Sequence, residues 1–122
     1  MPVKILIVDD EKEILAWMKI SLENIGFHVR CSIDAKDALK AYDEEKADLI
    51  ITDMVMPGMS GLTLIMELNK IDPEVKIIAI SGGGIINGQR YLALAKEIGA
   101  DLMLPKPFGE KELHLAIKEV LG

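Results

Sequence analysis

Four short stretches place complementary polar groups where the chain leaves an apolar run. Asp9-Asp10-Glu11 follows Ile5-Leu6-Ile7-Val8, and Thr52-Asp53 closes Leu49-Ile50-Ile51. Ser81 closes the run that begins at Val75, and Lys106 stands between Pro105 and Pro107 just beyond Leu102–Leu104. Carboxylates gathered on one rim repel one another, and their pKa values rise unless a cation relieves the strain. A hard divalent cation does so; Mg²⁺ typically takes one or two carboxylates together with waters and phosphate oxygens. A lysine and a hydroxyl opposite such a cation can hold the oxygens of a transferred phosphoryl group. Phosphoryl transfer asks mainly for positioning and charge neutralisation, and these groups supply both. Singly, each is ordinary: an Asp at a strand end commonly caps a helix or faces solvent. The signal lies in four strand ends carrying complementary chemistry together.

The elements that must position them follow from periodicity. Val3–Val8 reads as a buried strand, and Glu11–Ile25 places Ile14, Leu15, Met18, Leu22 and Ile25 at helical spacing. Gly26 suits the left-handed stop of that helix. Phe27–Ser32 alternates as a second strand, with Cys31 expected as a half-buried strand residue. Asp34 can cap a helix that runs to about Glu45. Ala47–Thr52 holds a third strand, Ser60 can cap a helix over Gly61–Ile71, and Pro73 bars its continuation. Val75–Ser81 is a fourth strand and Gly82–Gly88 a glycine-rich loop. Tyr91–Ile98 is a helix stopped at Gly99, Leu102–Leu104 a short fifth strand, and Glu110–Leu121 a closing helix. Strands alternating with helices imply a parallel sheet covered on both faces. Strands one, three and four are the most apolar and fit the centre; the polar second strand fits an edge. The expected fold is therefore α/β: a flavodoxin-like (βα)5 three-layer sandwich with a five-stranded parallel sheet of order 2-1-3-4-5. In such sheets ligands bind at the carboxyl ends of the strands, beside the switch point between strands one and three.

Composition narrows the function. The 122 residues suit one domain, spanning residues 1–122. The net charge is −6, with no cluster of Lys and Arg, so direct nucleic-acid binding is not expected. No apolar run approaches the length of a membrane span, and no secretory signal is evident. One cysteine forms no internal disulfide and completes no metal-ligand spacing, so a reducing, cytoplasmic location is the default expectation. Trp17 and the seven methionines read as core, rim or helix-surface residues, and neither His28 nor His114 has a local partner that marks it as a phosphohistidine. The run after Ser81 does not fit G-x-G-x-x-G, because Asn87 holds its last position. A flavin- or nucleotide-binding domain is disfavoured too, since Asp-Asp-Glu stands where a phosphate loop would follow strand one.

The chain resembles the receiver domains of two-component response regulators over essentially its whole length. The resemblance rests on Ile5–Glu11, on Asp53-Met54-Val55-Met56-Pro57-Gly58-Met59-Ser60-Gly61, on Ser81, and on Lys106-Pro107-Phe108. It implies that Asp53 is the phosphoacceptor, taking its phosphoryl group from a phosphohistidine donor. It implies that Asp9, Asp10, Asp53 and the backbone carbonyl of Val55 hold Mg²⁺. Ser81 would hydrogen-bond a phosphoryl oxygen, and Lys106 would pair with the phosphate, or with Asp53 before phosphorylation. The Lys106–Pro107 bond would be cis. The implied partners are a sensor histidine kinase or histidine phosphotransfer protein, and an output protein or effector domain, with homodimerisation on phosphorylation. The chain would be a regulatory phosphoacceptor, not an enzyme, that assists only its own phosphorylation and dephosphorylation. The alternative is an interaction module of the same fold that works without phosphorylation; loss of an acidic residue or the lysine would mark it, and none is lost. The chain closes just after its last helix, which fits either a stand-alone receiver or one taken from a longer regulator.

Three positions depart from the family pattern. Met103 stands where the family often carries Tyr or Phe, so no ring is there to rotate when the Ser81 hydroxyl moves. Gly82-Gly83-Gly84 follows Ser81, and two readings of the loop stand: a loose connection of no special role, or a segment that tightens around the phosphate and shifts the helix at Tyr91–Ile98. Val55 and Gly83 offer no side-chain hydrogen bond to a water that would attack the acyl phosphate.

Overall fold

The computed structural model describes residues 2–56, 58–82 and 95–122. Five parallel strands form one sheet: β1 (Lys4–Val8), β2 (His28–Ser32), β3 (Leu49–Asp53), β4 (Ile77–Ser81) and β5 (Leu102–Pro105), in the order β2-β1-β3-β4-β5. The order and the direction are those expected from the sequence. The register sets Val8 beside Ser32 and Thr52, Asp53 beside Ile80, and Ser81 beside Pro105. The strands therefore end nearly level, and the residues that follow them share one rim.

Alternation along each strand divides the core in two. Leu6, Val8, Ile50, Ile77 and Ala79 face one way, against α2 (Ala35–Glu44) and α3 (Gly61–Ile71). Ile5, Ile7, Leu49, Ile51, Ile78 and Ile80 face the other way, against α1 (Lys12–Asn24) and α4 (Glu110–Leu121). The isoleucines of β3 and β4 are fully buried; each contributes about 1.5–3 kcal/mol relative to an exposed side chain. Residues 95–98 are helical, and Ala95 and Ala100 complete the core on the α2–α3 face.

Local chemistry fixes the element ends. Asp34 Oδ1 accepts from Asp37 N at 2.8 Å and caps α2. Ser60 Oγ accepts from Thr63 N at 3.3 Å and caps α3. Gly26, just beyond α1, takes φ +102°, open to glycine at little cost. Glu112 Oε2 accepts from Gly109 N at 2.7 Å at the start of α4. Cys31 corrects one expectation: it is exposed, not half-buried. On the edge strand β2 only Val29 and Ser32 are fully covered by neighbouring elements. Gly83–Leu94 lie outside the described residues, and with them most of the glycine-rich loop and the first residues of the helix expected at Tyr91–Ile98. No helix among the described residues is long and apolar enough to cross a membrane.

Candidate phosphoacceptor and metal site

Asp9 follows β1 and Asp53 ends β3, neighbours across the switch point of the sheet. Both are buried, at 0 % and 4 % exposure, whereas Asp10 is exposed. Oxygens of Asp9, Asp10 and Asp53 lie within 4.8 Å of one another, the one such cluster of potential ligands among the described residues. Asp9 Oδ1 accepts from Glu11 N at 2.8 Å, while its Oδ2 is buried with no hydrogen-bond partner among the described residues. Burial pushes the Asp9 carboxyl up to about 6; the Glu11 N–H pulls it down and the Asp53 charge pushes it up further. A buried carboxylate oxygen left open beside two other carboxylates is the donor set a hard divalent cation needs, so the residues present fit Mg²⁺.

Asp53 is held from both sides. Its Oδ1 accepts from Val55 N at 3.2 Å, and its Oδ2 accepts from Lys106 Nζ at 3.3 Å. Val55 enters through its backbone; its side chain points to solvent at 74 % exposure. Lys106 also lies 3.6 Å from Glu11 Oε1. Burial alone would lower the lysine pKa, but the Asp53 charge and hydrogen bond outweigh it, and the ammonium is held above its usual range. The Lys106–Pro107 bond is cis, as the resemblance implied. Lys106 N donates to Ser81 O at 2.8 Å, which ties the end of β4 to the turn after β5.

Ser81 presents a buried Oγ with no hydrogen-bond partner among the described residues. Met103 pairs with Ala79 in register and packs, partly buried, against the core of the α2–α3 face. The structure thus brings Asp9, Asp10, Asp53 and Lys106 together, joins Val55 to Asp53 through its N–H, and sets Ser81 on the next strand end. The expectation for Gly83 and for the loop beyond it falls outside the described residues.

Two features were missed from sequence. Gly61, first residue of α3, packs its backbone on β3: a Cβ there would collide with the Asp53 carbonyl oxygen and lie 2.7 Å from Met54 Cα. The signal was present as a glycine following a Ser cap, where most side chains would serve a helix better. The reach of Glu11 to Lys106 had no sequence signal, because it spans two elements distant in the chain.

Comparison with known proteins agrees with this geometry. The response regulator receiver domain model matches residues 5–118. A probable transcriptional regulator, ycf27, of Guillardia theta is 37 % identical over 118 residues, covering 97 % of this chain and 45 % of its own length. The transcriptional regulatory protein CpxR of Klebsiella pneumoniae is 36 % identical, again over 97 % of this chain and 49 % of its own. The chain spans about half the length of the curated relatives it matches. Among solved structures, a receiver domain protein from Clostridium thermocellum superposes with a TM-score of 0.86 at 34 % identity, covering 98 % of this chain and 94 % of that one. NtrX from Brucella abortus gives 0.88 at 32 % identity, with 99 % and 27 % covered.

Proposed function

Because the chain belongs to the response regulator receiver domain family, we propose that it is a signalling switch that accepts a phosphoryl group on Asp53. A carboxylate oxygen of Asp53 attacks the phosphorus of a phosphohistidine on a donor protein; an O–P bond forms, the N–P bond breaks, and the imidazole keeps the electron pair. Lys106 offers its ammonium to the phosphoryl oxygens, and the open Ser81 hydroxyl offers a further donor. Asp9, Asp10, Asp53 and the Val55 carbonyl would hold Mg²⁺, which supplies charge neutralisation for the transferring group. The acyl phosphate carries about −1.5 to −2 charge where the carboxylate carried −1, together with new acceptor oxygens, enough to bias a two-state surface that a partner reads.

The donor is a sensor histidine kinase or histidine phosphotransfer protein, and the output is a partner protein or an effector domain, with pairing of two copies on phosphorylation as one route. Its place is the cytoplasm. The chain acts on its own aspartyl phosphate and turns over no external metabolite, so we class it as a regulatory phosphoacceptor and not as an enzyme. One observation carries the reading: Asp53 is buried with both oxygens held, by Val55 N–H and by Lys106, while Asp9 Oδ2 and Ser81 Oγ stand open at the neighbouring strand ends. Incubation with a small-molecule phosphoryl donor and Mg²⁺, followed by intact-mass measurement, tests it. The wild type gains about 80 Da and Asp53→Ala gains nothing. Equal labelling of the variant overturns the assignment.

A further inference from the structure

Glu11 occupies the N-cap position of α1 yet makes no side-chain capping bond. That departs from the usual chemistry, since cap positions favour short side chains that accept from the first turn. Its carboxylate reaches instead across the rim, to 3.6 Å from Lys106 Nζ. Its backbone N–H is already committed to Asp9 Oδ1 at 2.8 Å, which fixes where the side chain starts. Lys106 therefore stands between two carboxylates, Asp53 at 3.3 Å and Glu11 at 3.6 Å.

A lysine ammonium has three donors and no acceptor. Asp53 accepts one N–H and the Glu11 carboxylate holds the ammonium by charge, which leaves donors free for another oxygen on the same rim. A lysine side chain otherwise loses rotamer entropy when it is fixed. An anchor that restrains the stem beforehand removes part of that cost from the binding step. We propose that Glu11 is a positioning residue for Lys106, keeping the ammonium over the carboxylate cluster so that it meets a phosphoryl oxygen without first being ordered. The inference rests on the phosphoacceptor reading of Asp53 and adds a residue to it. Glu11 acts through the lysine, which is the group that meets the phosphoryl oxygens.

Glu11→Gln keeps the length and removes the charge, and Glu11→Asp keeps the charge and shortens the reach. Neither removes a capping bond, because none is present. Two measurements separate positioning from a merely structural role. In competitive acylation of lysines read by mass spectrometry, Glu11→Gln raises labelling at Lys106 by about threefold, the reach of a partly exposed ion pair, and leaves other lysines unchanged. With saturating Mg²⁺, the same variant binds beryllium trifluoride about threefold more weakly, and Glu11→Asp falls between it and the wild type. Unchanged Lys106 labelling, or unchanged or tighter binding of beryllium trifluoride in Glu11→Gln, overturns the inference and leaves the Asp53 assignment standing. No binding of beryllium trifluoride by the wild type overturns both.

Discussion

Both ends of the sheet carry aspartates, and the two sets have opposite characters. At the amino end, Asp48 precedes β3 and Asp101 precedes β5, and both are exposed. Each makes the same pair of bonds to the neighbouring strand. Asp48 Oδ2 accepts from Lys4 N at 2.8 Å, while Asp48 N donates to Lys4 O at 2.8 Å. Asp101 Oδ2 accepts from Ile77 N at 2.8 Å, while Asp101 N donates to Ile77 O at 2.8 Å. The aspartate caps the first N–H of a strand whose parallel partner has not yet begun. At the carboxyl end, Asp9 and Asp53 are buried, and one Asp9 oxygen has no hydrogen-bond partner among the described residues. The same residue type completes the hydrogen bonding at one end and leaves it incomplete at the other. Proteins keep a buried, incomplete carboxylate where a ligand completes it.

The largest expected effect of that contrast falls on Asp9. Its carboxyl is pushed from 3.8 up to about 6, chiefly by burial. The folded form therefore binds the proton more tightly than the unfolded chain does. The stabilisation from that proton is full below about pH 4 and is lost as pH rises through about 6. Above that, the ionised carboxylate costs the metal-free fold about 3 kcal/mol, the free-energy equivalent of that rise. Asp9→Asn keeps an acceptor for Glu11 N–H and removes the charge. It stabilises the protein in EDTA at pH 7.5 by up to about 3 kcal/mol and by nothing near pH 3.5. Urea unfolding at the two pH values measures this. Excess Mg²⁺ stabilises the wild type and leaves Asp9→Asn nearly unmoved. A variant less stable than wild type at pH 7.5 in EDTA would erase the distinction between the two ends.

A smaller effect sharpens the description of the carboxyl end. Gly61 brings backbone against backbone, so an added methyl has no flexible side chain to push aside. Gly61→Ala costs about 1–3 kcal/mol and slows phosphoryl labelling, because the segment it displaces is Asp53 and Met54. Gly26→Ala, by contrast, puts an alanine in a left-handed backbone but meets nothing within 4 Å, and it leaves labelling unchanged. Parallel thermal melts and intact-mass time courses separate the two.

Much of this was legible in the residue order, for a physical reason. Strand order and face follow from periodicity and from which runs are most apolar, properties local to each segment. The rim was legible because Asp9, Asp53, Ser81 and Lys106 each end or follow such a run, and a parallel sheet brings those ends level. What escaped depends on distance between elements. Cys31 is exposed because an edge strand is only partly covered; Gly61 is constrained by a strand eight residues before it, and Glu11 by a lysine on the far side of the sheet. The paired caps had a trace in sequence, Ala47-Asp48-Leu49 echoed by Ala100-Asp101-Leu102. Without the registers of β1 with β3 and of β4 with β5, that repeat has no meaning.

The paired caps give the smallest and most discriminating test. Lys4 N lies at an exposed end of β1, where water can replace a lost acceptor. Ile77 N is part-buried, and the Ile77 side chain is fully buried. Removing an acceptor costs more where water cannot follow. Asp101→Ala therefore destabilises the protein by about 1–2 kcal/mol and Asp48→Ala by about half as much. Asp101→Asn, which keeps an acceptor oxygen, recovers most of the loss. None of these variants changes the extent of phosphoryl labelling, because the bonds they touch lie a full strand length, roughly 17 Å for five residues, from Asp53. Asp9→Asn moves the opposite way, gaining stability as it loses the function. Replacing an aspartate thus gives opposite signs at the two ends of one sheet, and a loss of stability at both ends would mean that Asp9 is only another cap.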